Sequence, residues 1–532
     1  MAGTNAVWRR SNYAAERMAQ RYTFSSILFL LSLPLLAQLD DLPARYAALI
    51  DQADLRRHLD TLASDRYEGR ETGLKGQKMA AQYLRERFME LGIPPVPNAA
   101  ERGLALNGYE QPFPLEVSTP GGLSLVVGGR PIGFMQEFFY FQERAEQSFT
   151  VDSVVLVDES SIVGAQVRDR VVLMLQNERP GGLKGDRPPR DLFQEITRKG
   201  KLAENAGARL LLLASPQAGA MMRQYAHYIT TPRMKLVDGK AKEQAGRPLQ
   251  VIVIDAPTAE HILRRGRMSW KKAARTAEKG AKRFACPVEL VHQPMRQELQ
   301  GENILGYVEG SDRKEELVVV TAHYDHIGKD GEEVYNGADD DGSGTVALLE
   351  LAEAFARAKA DGHGPRRSVL FMPVSGEEKG LLGSEWYSEH PVFPLENTVA
   401  DLNIDMIGRT DSLHQDAAPY VYIIGSDRLS TELHRINADV NARYTRLQLD
   451  LTYNDRNDPN RYYYRSDHYN FARKGVPVIF YFSGVHEDYH QPGDEVQKIR
   501  FDLLEQRARL VFHTAWELAN RPARILVDGT VE

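Results

Sequence analysis

The sequence predicts an α/β protein: a mixed, mostly parallel sheet flanked by helices, interrupted by a β-rich insert. Three observations predict it. From Glu302 onward, apolar strand-like runs alternate with helical stretches, the pattern of a parallel sheet covered by helices. Four of those runs lead into residues that can bind a metal ion, and open α/β sheets build their sites outside the carboxyl ends of their strands. Upstream, from roughly Gly108 to Ile254, the texture changes to short β-like pieces.

The chain has 532 residues and a formal net charge of −7. That length predicts more than one domain, and the mildly acidic balance argues against nucleic acid as a partner. Cys286 is the only cysteine, which excludes an intramolecular disulfide and thiolate metal clusters.

Residues 1–37 read as a signal peptide. Arg21 precedes the apolar run from Phe24 to Ala37, which is too short for a membrane span, and cleavage is expected after Ala37. Met18 is an alternative start. A chain with no possible internal disulfide is then expected to be exported in a bacterium, periplasmic or secreted, with no stable membrane insertion after cleavage.

Residues from about Leu42 to Pro94 are predicted helical. Tyr83-Leu84, Phe88 and Leu91 recur at helical spacing, Gly92 is a stop signal, and Glu68-Gly69-Arg70-Glu71-Thr72-Gly73 is a turn between two helices. Strands are predicted at Leu123–Val127, Phe138–Phe141, Val154–Val157, Val171–Leu175, Leu210–Ala214 and Val251–Ile254, with a helix around Arg198–Ala206. The basic stretch from Arg264 to Arg283 reads as a solvated helix face or linker.

The chemistry lies further on. Leu317–Ala322 runs into His323, with Asp325 two places later. Val369–Val374 passes through Ser375-Gly376 into Glu377-Glu378. Leu402–Ile404 runs into Asp405, and Val478–Phe482 leads through a loop to His490. Between the first two strands sits a turn containing Asp339-Asp340-Asp341. Imidazoles and carboxylates are zinc ligands. Three carboxylates and a bound hydroxide would neutralise two divalent cations, which a low-dielectric pocket favours. One carboxylate must then bridge, a part suited to a loop aspartate. Glu377, beside a proposed ligand but diverging from it, is free to act as general acid/base. Asp325 is placed to accept the other N–H of His323.

The segments Thr321–His326, Gly337–Gly344, Ser375–Ser384, Asn403–Met406 and Tyr489-His490 together resemble the M28 family of zinc peptidases, in that family's order. The resemblance implies a zinc exopeptidase-like fold and two zinc ions per chain. One would be held by His323, Asp340 and Asp405, and the other by Asp340, Glu378 and His490. It implies Asp340 as the bridging aspartate with a cis peptide after it, Glu377 as general base, and Asp325 as the orienting carboxylate. The middle segment resembles a protease-associated (PA) domain. The implied organisation is an N-terminal part of the peptidase domain at 42–115, a PA-like insert and basic linker at 116–284, and the catalytic domain at 285–532.

The expected function is that of an exported di-zinc aminopeptidase acting on peptides, in which a metal-bridging water attacks the scissile carbonyl and Glu377 moves its proton. A carboxypeptidase, with Arg465 as a carboxylate donor, or a glutaminyl cyclase of the same fold are the enzymatic alternatives. A receptor-like binding protein is the non-enzymatic one. Tyr489 is a candidate oxyanion donor, and Tyr462-Tyr463-Tyr464 a candidate pocket wall. Ser466-Asp467-His468 is expected in a supporting role, since adjacent residues cannot converge as a triad. His326, His486 and His58 are assigned no function.

Overall fold

A computed structural model describes residues 41–531, apart from 145–147, 177–182, 184, 186, 238–248 and 416–417. Residues 1–37, expected to be a signal peptide, lie outside the described residues. Two compact units emerge. One joins the chain up to Glu71 with Lys75–Gln111 and Asn303 onward; the other consists of Pro112–Glu302 with Thr72–Leu74.

The first unit is built on a seven-stranded sheet. Its strands run in the order Gly306–Val308, Arg367–Val374, Arg313–His323, Thr398–Ile404, Val478–Phe482, Tyr420–Ile424, Gln448–Asp450. The four strands predicted to carry the site are adjacent and mutually parallel, so their carboxyl ends share one edge. The register pairs His323 with Val374 and Thr321 with Asn403, which keeps those ends level.

These strands are apolar along their whole length because both faces are covered, as expected of parallel strands. Alternation then divides their side chains between two cores. Val318, Val320 and Ala322 pack with the Gly344–Ala360 and Phe501–Asn520 helices. Leu317 and Val319 pack on the opposite side with Leu370, Met372, Tyr387 and Phe471. The helix predicted around Tyr83 spans Lys75–Glu90 and buries Ala80, Ala81, Leu84 and Phe88; Gly92 follows it with φ +72°.

The second unit contains an eight-stranded sheet in the order Arg130–Ile132, Leu123–Val127, Lys282–His292, Phe149–Leu156, Val171–Leu175, Leu210–Ala214, Gln250–Ile254, Phe138–Phe139. One finding departs from the sequence reading: the helix expected at Arg198–Ala206 begins at Arg190, directly after Pro189. The basic stretch forms solvated helix faces, one of the two forms expected of it: the helix Ala256–Arg265 is capped by Asp255, and Trp270–Lys279 is capped by Ser269. The second helix buries only Ala273 and Ala277, so its lysines and arginines lie on the solvent side. Among the described residues, no helix is long and apolar enough to cross a membrane.

Candidate metal centre

The four parallel strands deliver four of the predicted groups to one sheet edge, and the Ala338–Ser343 turn delivers Asp340. His323 Nε2 lies 3.3 Å from Asp340 Oδ1 and 3.7 Å from Asp405 Oδ1. On the other side of the same carboxylate, His490 Nε2 lies 3.1 Å from Asp340 Oδ2 and 3.1 Å from Glu378 Oε2. Asp340 therefore offers one oxygen to each of two groups. Atoms bound to one zinc at 2.0–2.2 Å stand about 3.3 Å apart in a tetrahedral arrangement, so these four separations are close to those of atoms sharing a cation. His323 Nε2, Asp340 Oδ2 and Glu378 Oε1 are also buried without a hydrogen bond of acceptable geometry, although buried polar atoms ordinarily find partners. The donor set and the orphaned atoms both fit a metal.

The three neighbouring aspartates divide their work. Asp341 accepts N–H groups from Gly344 (2.9 Å), Met406 (2.9 Å) and His323 (3.2 Å). It lies within reach of His323 and Asp405, but those three N–H groups already occupy its oxygens. Asp339 accepts the Gly408 N–H at 2.6 Å and faces His486 at 3.3 Å. Only Asp340 turns toward both His323 and His490. The peptide bond between Asp340 and Asp341 is cis.

The surroundings hold the carboxylates in place. Ser466 Oγ donates to Asp405 Oδ2 at 2.7 Å and accepts from Asn403 Nδ2 at 2.8 Å. This is the supporting role expected of that segment. Asp494 accepts the backbone N–H groups of Asp339 and Asp340 at 3.0 to 3.1 Å, tying the turn to the loop after His490. Arg70, fully buried, donates to the carbonyls of Tyr324 (2.8 Å), Leu62 (2.8 Å), Asn336 (2.7 Å) and Gly337 (2.9 Å). Neither Asp494 nor Arg70 carries a periodic or motif signal in the sequence; each acts by binding backbone groups of distant loops.

The geometry around Asp325 differs from the expectation. The nearest acceptor to His323 Nδ1 is the Asp325 backbone carbonyl at 3.0 Å, whereas the carboxylate lies 3.8 Å away. Asp325 Oδ1 instead accepts the Glu377 N–H at 3.3 Å. Glu377 sits 3.9 Å from His323 Nε2 and outside both ligand groups. Tyr489 stacks on His490 with ring centroids 3.9 Å apart, and its hydroxyl accepts from Arg465 at 3.3 Å. Beside Asp340, Glu377 and Asp405 lies a small cavity of about 30 Å³, walled by Tyr462, Phe480, Phe482, Val485 and Tyr489 with Arg465.

The electrostatics are those of a cluster seeking positive charge. Burial disfavours a charged His490, yet Asp340 and Glu378 push its pKa up to about 10. Burial likewise opposes charge on His323, and Glu377, Asp340 and Asp405 raise it well above the usual value. Glu378 is held at about 2 against burial and against Asp340 by the facing His326 and His490. Glu377 moves the other way: burial pushes it well above the carboxylate range, with His323 opposing and Glu378, Asp405 and Asp467 adding to the rise. Imidazole protons thus supply the positive charge that a cation would supply, and metal binding would release them.

A carboxylate–imidazole cluster at the ends of the central parallel strands of an α/β sheet is a candidate metal site at the place where such sheets carry their sites. Residues 303–515 match the model of Peptidase family M28. A probable zinc metalloprotease of Pyrenophora tritici-repentis is 28% identical over 43% of this chain and 54% of its own length. A probable leucine aminopeptidase of Trichophyton verrucosum is 31% identical over 39% of this chain and 55% of its own length. The chain spans about half the length of these curated relatives. The solved aminopeptidase from Aneurinibacillus sp. strain AM-1 is 17% identical, with a TM-score of 0.52 over 92% of this chain and 98% of that one, a likeness of fold.

Proposed function

We propose that the chain is a two-zinc exopeptidase that removes N-terminal residues from peptides. The observation that carries this reading is the shared Asp340 carboxylate, with one oxygen 3.3 Å from His323, which also faces Asp405, and the other 3.1 Å from His490, which also faces Glu378. His323, Asp340 and Asp405 would hold one ion; Asp340, Glu378 and His490 would hold the other. Zinc bound there supplies Lewis acidity toward a carbonyl oxygen and toward water.

The rest belongs to the protein. Glu377, next to both groups and claimed by neither, takes a proton and passes it to the leaving amine; its burial keeps the carboxyl basic enough for that task. Asp325 fixes the Glu377 backbone, and Ser466 fixes Asp405. The small cavity walled by Tyr462, Phe480, Phe482 and Val485 seats an apolar side chain and excludes water beside the reacting bond. The relatives' names, zinc metalloprotease and leucine aminopeptidase, support peptide substrates and zinc. The apolar run ending at Ala37 supports export. The insert, resembling a PA domain, is proposed to bind or screen peptides.

Metal analysis with a peptide panel tests this. Two equivalents of zinc and cleavage of free-amino and C-amidated peptides, but not N-blocked ones, are expected. Cleavage of N-blocked peptides together with loss of activity on C-amidated ones would replace this reading with a carboxypeptidase, with Arg465 the anchoring cation.

A further inference from the structure

We propose that His326 is a further ligand at the second metal position, beside Asp340, Glu378 and His490. This rests on the two-metal reading above. The His326 ring is fully buried, and its Nδ1 lies 2.9 Å from Glu378 Oε1 and 4.0 Å from Asp340 Oδ2. Atoms bound to one ion at about 2.1 Å stand about 3.0–4.2 Å apart, depending on the angle between them. Both distances are compatible with a shared ion.

The alternative is a histidine that hydrogen-bonds Glu378 from outside. The short contact does not have that geometry: Nδ1 and Glu378 Oε1 both remain without a hydrogen bond despite their proximity, and Nε2 has none either. A buried histidine kept for structure ordinarily satisfies at least one ring nitrogen. The ring is instead aimed at the ligand carboxylates, with the His490 ring centroid 6.0 Å away and the planes at 72°. Gly337 makes the space: a Cβ there would come within 2.5 Å of His326 Cγ and Cδ2. The two positions would then be unequal, one with a single imidazole and the other with two, and the nitrogen-rich position would bind a first-row divalent ion more tightly.

Counting imidazoles on the metal tests this. In cobalt(II)-loaded protein, each coordinated histidine gives one strongly shifted, solvent-exchangeable N–H proton resonance. Three such resonances are expected, falling to two in His326→Gln. Chelator competition should show one cobalt equivalent weakened by at least about 10-fold in the variant while the other is unchanged. Two resonances in the unaltered protein, both retained in His326→Gln, would overturn the proposal and leave the two-metal reading intact. Failure to bind cobalt at all would overturn both. Should His326→Gln not fold, the count in the unaltered protein decides the matter.

Discussion

Glu377 and Glu378 are adjacent carboxylates with opposite environments, and the difference supports the division of work proposed for them. Glu378 is held ionised between two imidazoles, whereas Glu377 is pushed toward its protonated form by burial. Glu377→Gln should therefore retain both metal equivalents and lose turnover by on the order of 10²–10⁴-fold; loss of metal with that change would exchange the two roles. A side chain's task here is set by what it faces, which limits what the sequence can tell. Asp339, Asp340 and Asp341 are chemically identical and consecutive. Spacing could not choose among them, because the choice depends on N–H groups of Met406 and Gly408 more than sixty residues away. The family resemblance pointed to Asp340; the packing gives the physical reason. His326 went unassigned because its neighbours come from other loops. Arg70 was read only as part of a turn, yet its guanidinium satisfies four buried carbonyls. Arg70→Met should destabilise the protein by about 3–5 kcal/mol, since each orphaned carbonyl costs about 1–3 kcal/mol before relaxation. Urea unfolding measures this, and a change below 1 kcal/mol would mean that water replaces the guanidinium.

At the scale of elements, the four site strands were legible because short, largely apolar runs ending in polar loops admit few alternatives. The Trp270–Lys279 helix was not, because its buried stripe is only Ala273 and Ala277, too small to stand out among six charged or polar neighbours. The Gly344–Ala360 helix shows another element-level property. It is apolar on nearly every face, yet it buries Glu350, whose carboxylate lies 3.5 Å from His58 of the Gln52–Leu62 helix. Burial, with Glu353, Asp54 and Asp51 adding to it, raises Glu350 to about 8; burial also lowers His58 to about 3. Both groups are thus neutral near pH 6, a neutral pair joining two helices. The sign follows from linkage. The folded pKa of Glu350 lies above the unfolded value of about 4.3, so the native state binds the extra proton. Its contribution is fully present below pH 4 and is lost as pH rises to about 8. Glu350→Gln should accordingly stabilise the protein at pH 8 by an amount on the order of a few kcal/mol and leave stability at pH 4 nearly unchanged. Urea midpoints at the two pH values check it, and equal shifts at both would remove the titration from the account.

For the whole molecule, every proposed ligand, and the groups that orient them, belong to the unit formed by the chain up to Glu71, Lys75–Gln111 and Asn303 onward. The insert has its own cores, built from residues such as Leu125, Leu173, Leu212 and Ile252 on one side and Val172, Leu211 and Val253 on the other. Metal binding is therefore coupled to the folding of one unit only. Three segments of the site are loops outside the strand ladders: Ala338–Ser343, the stretch from Ser375 to Gly380, and the loop around His490. In the absence of a cation, the three proposed ligand carboxylates, Asp340, Glu378 and Asp405, are balanced largely by protons on the imidazoles they face. An ion bound at 100 times its dissociation constant stabilises the state that binds it by about 2.7 kcal/mol. Hydrogen exchange should then slow on zinc loading in peptides covering those three loops and the carboxyl ends of the four parallel strands. Peptides from Leu123 to His292 should exchange at unchanged rates. Chelation should reverse the effect, and should do so more readily as pH falls, because protons compete for His323 and His490. Uniform protection across both units on zinc loading would mean that the metal acts on the fold as a whole, and the ligand set would have to be sought beyond these loops.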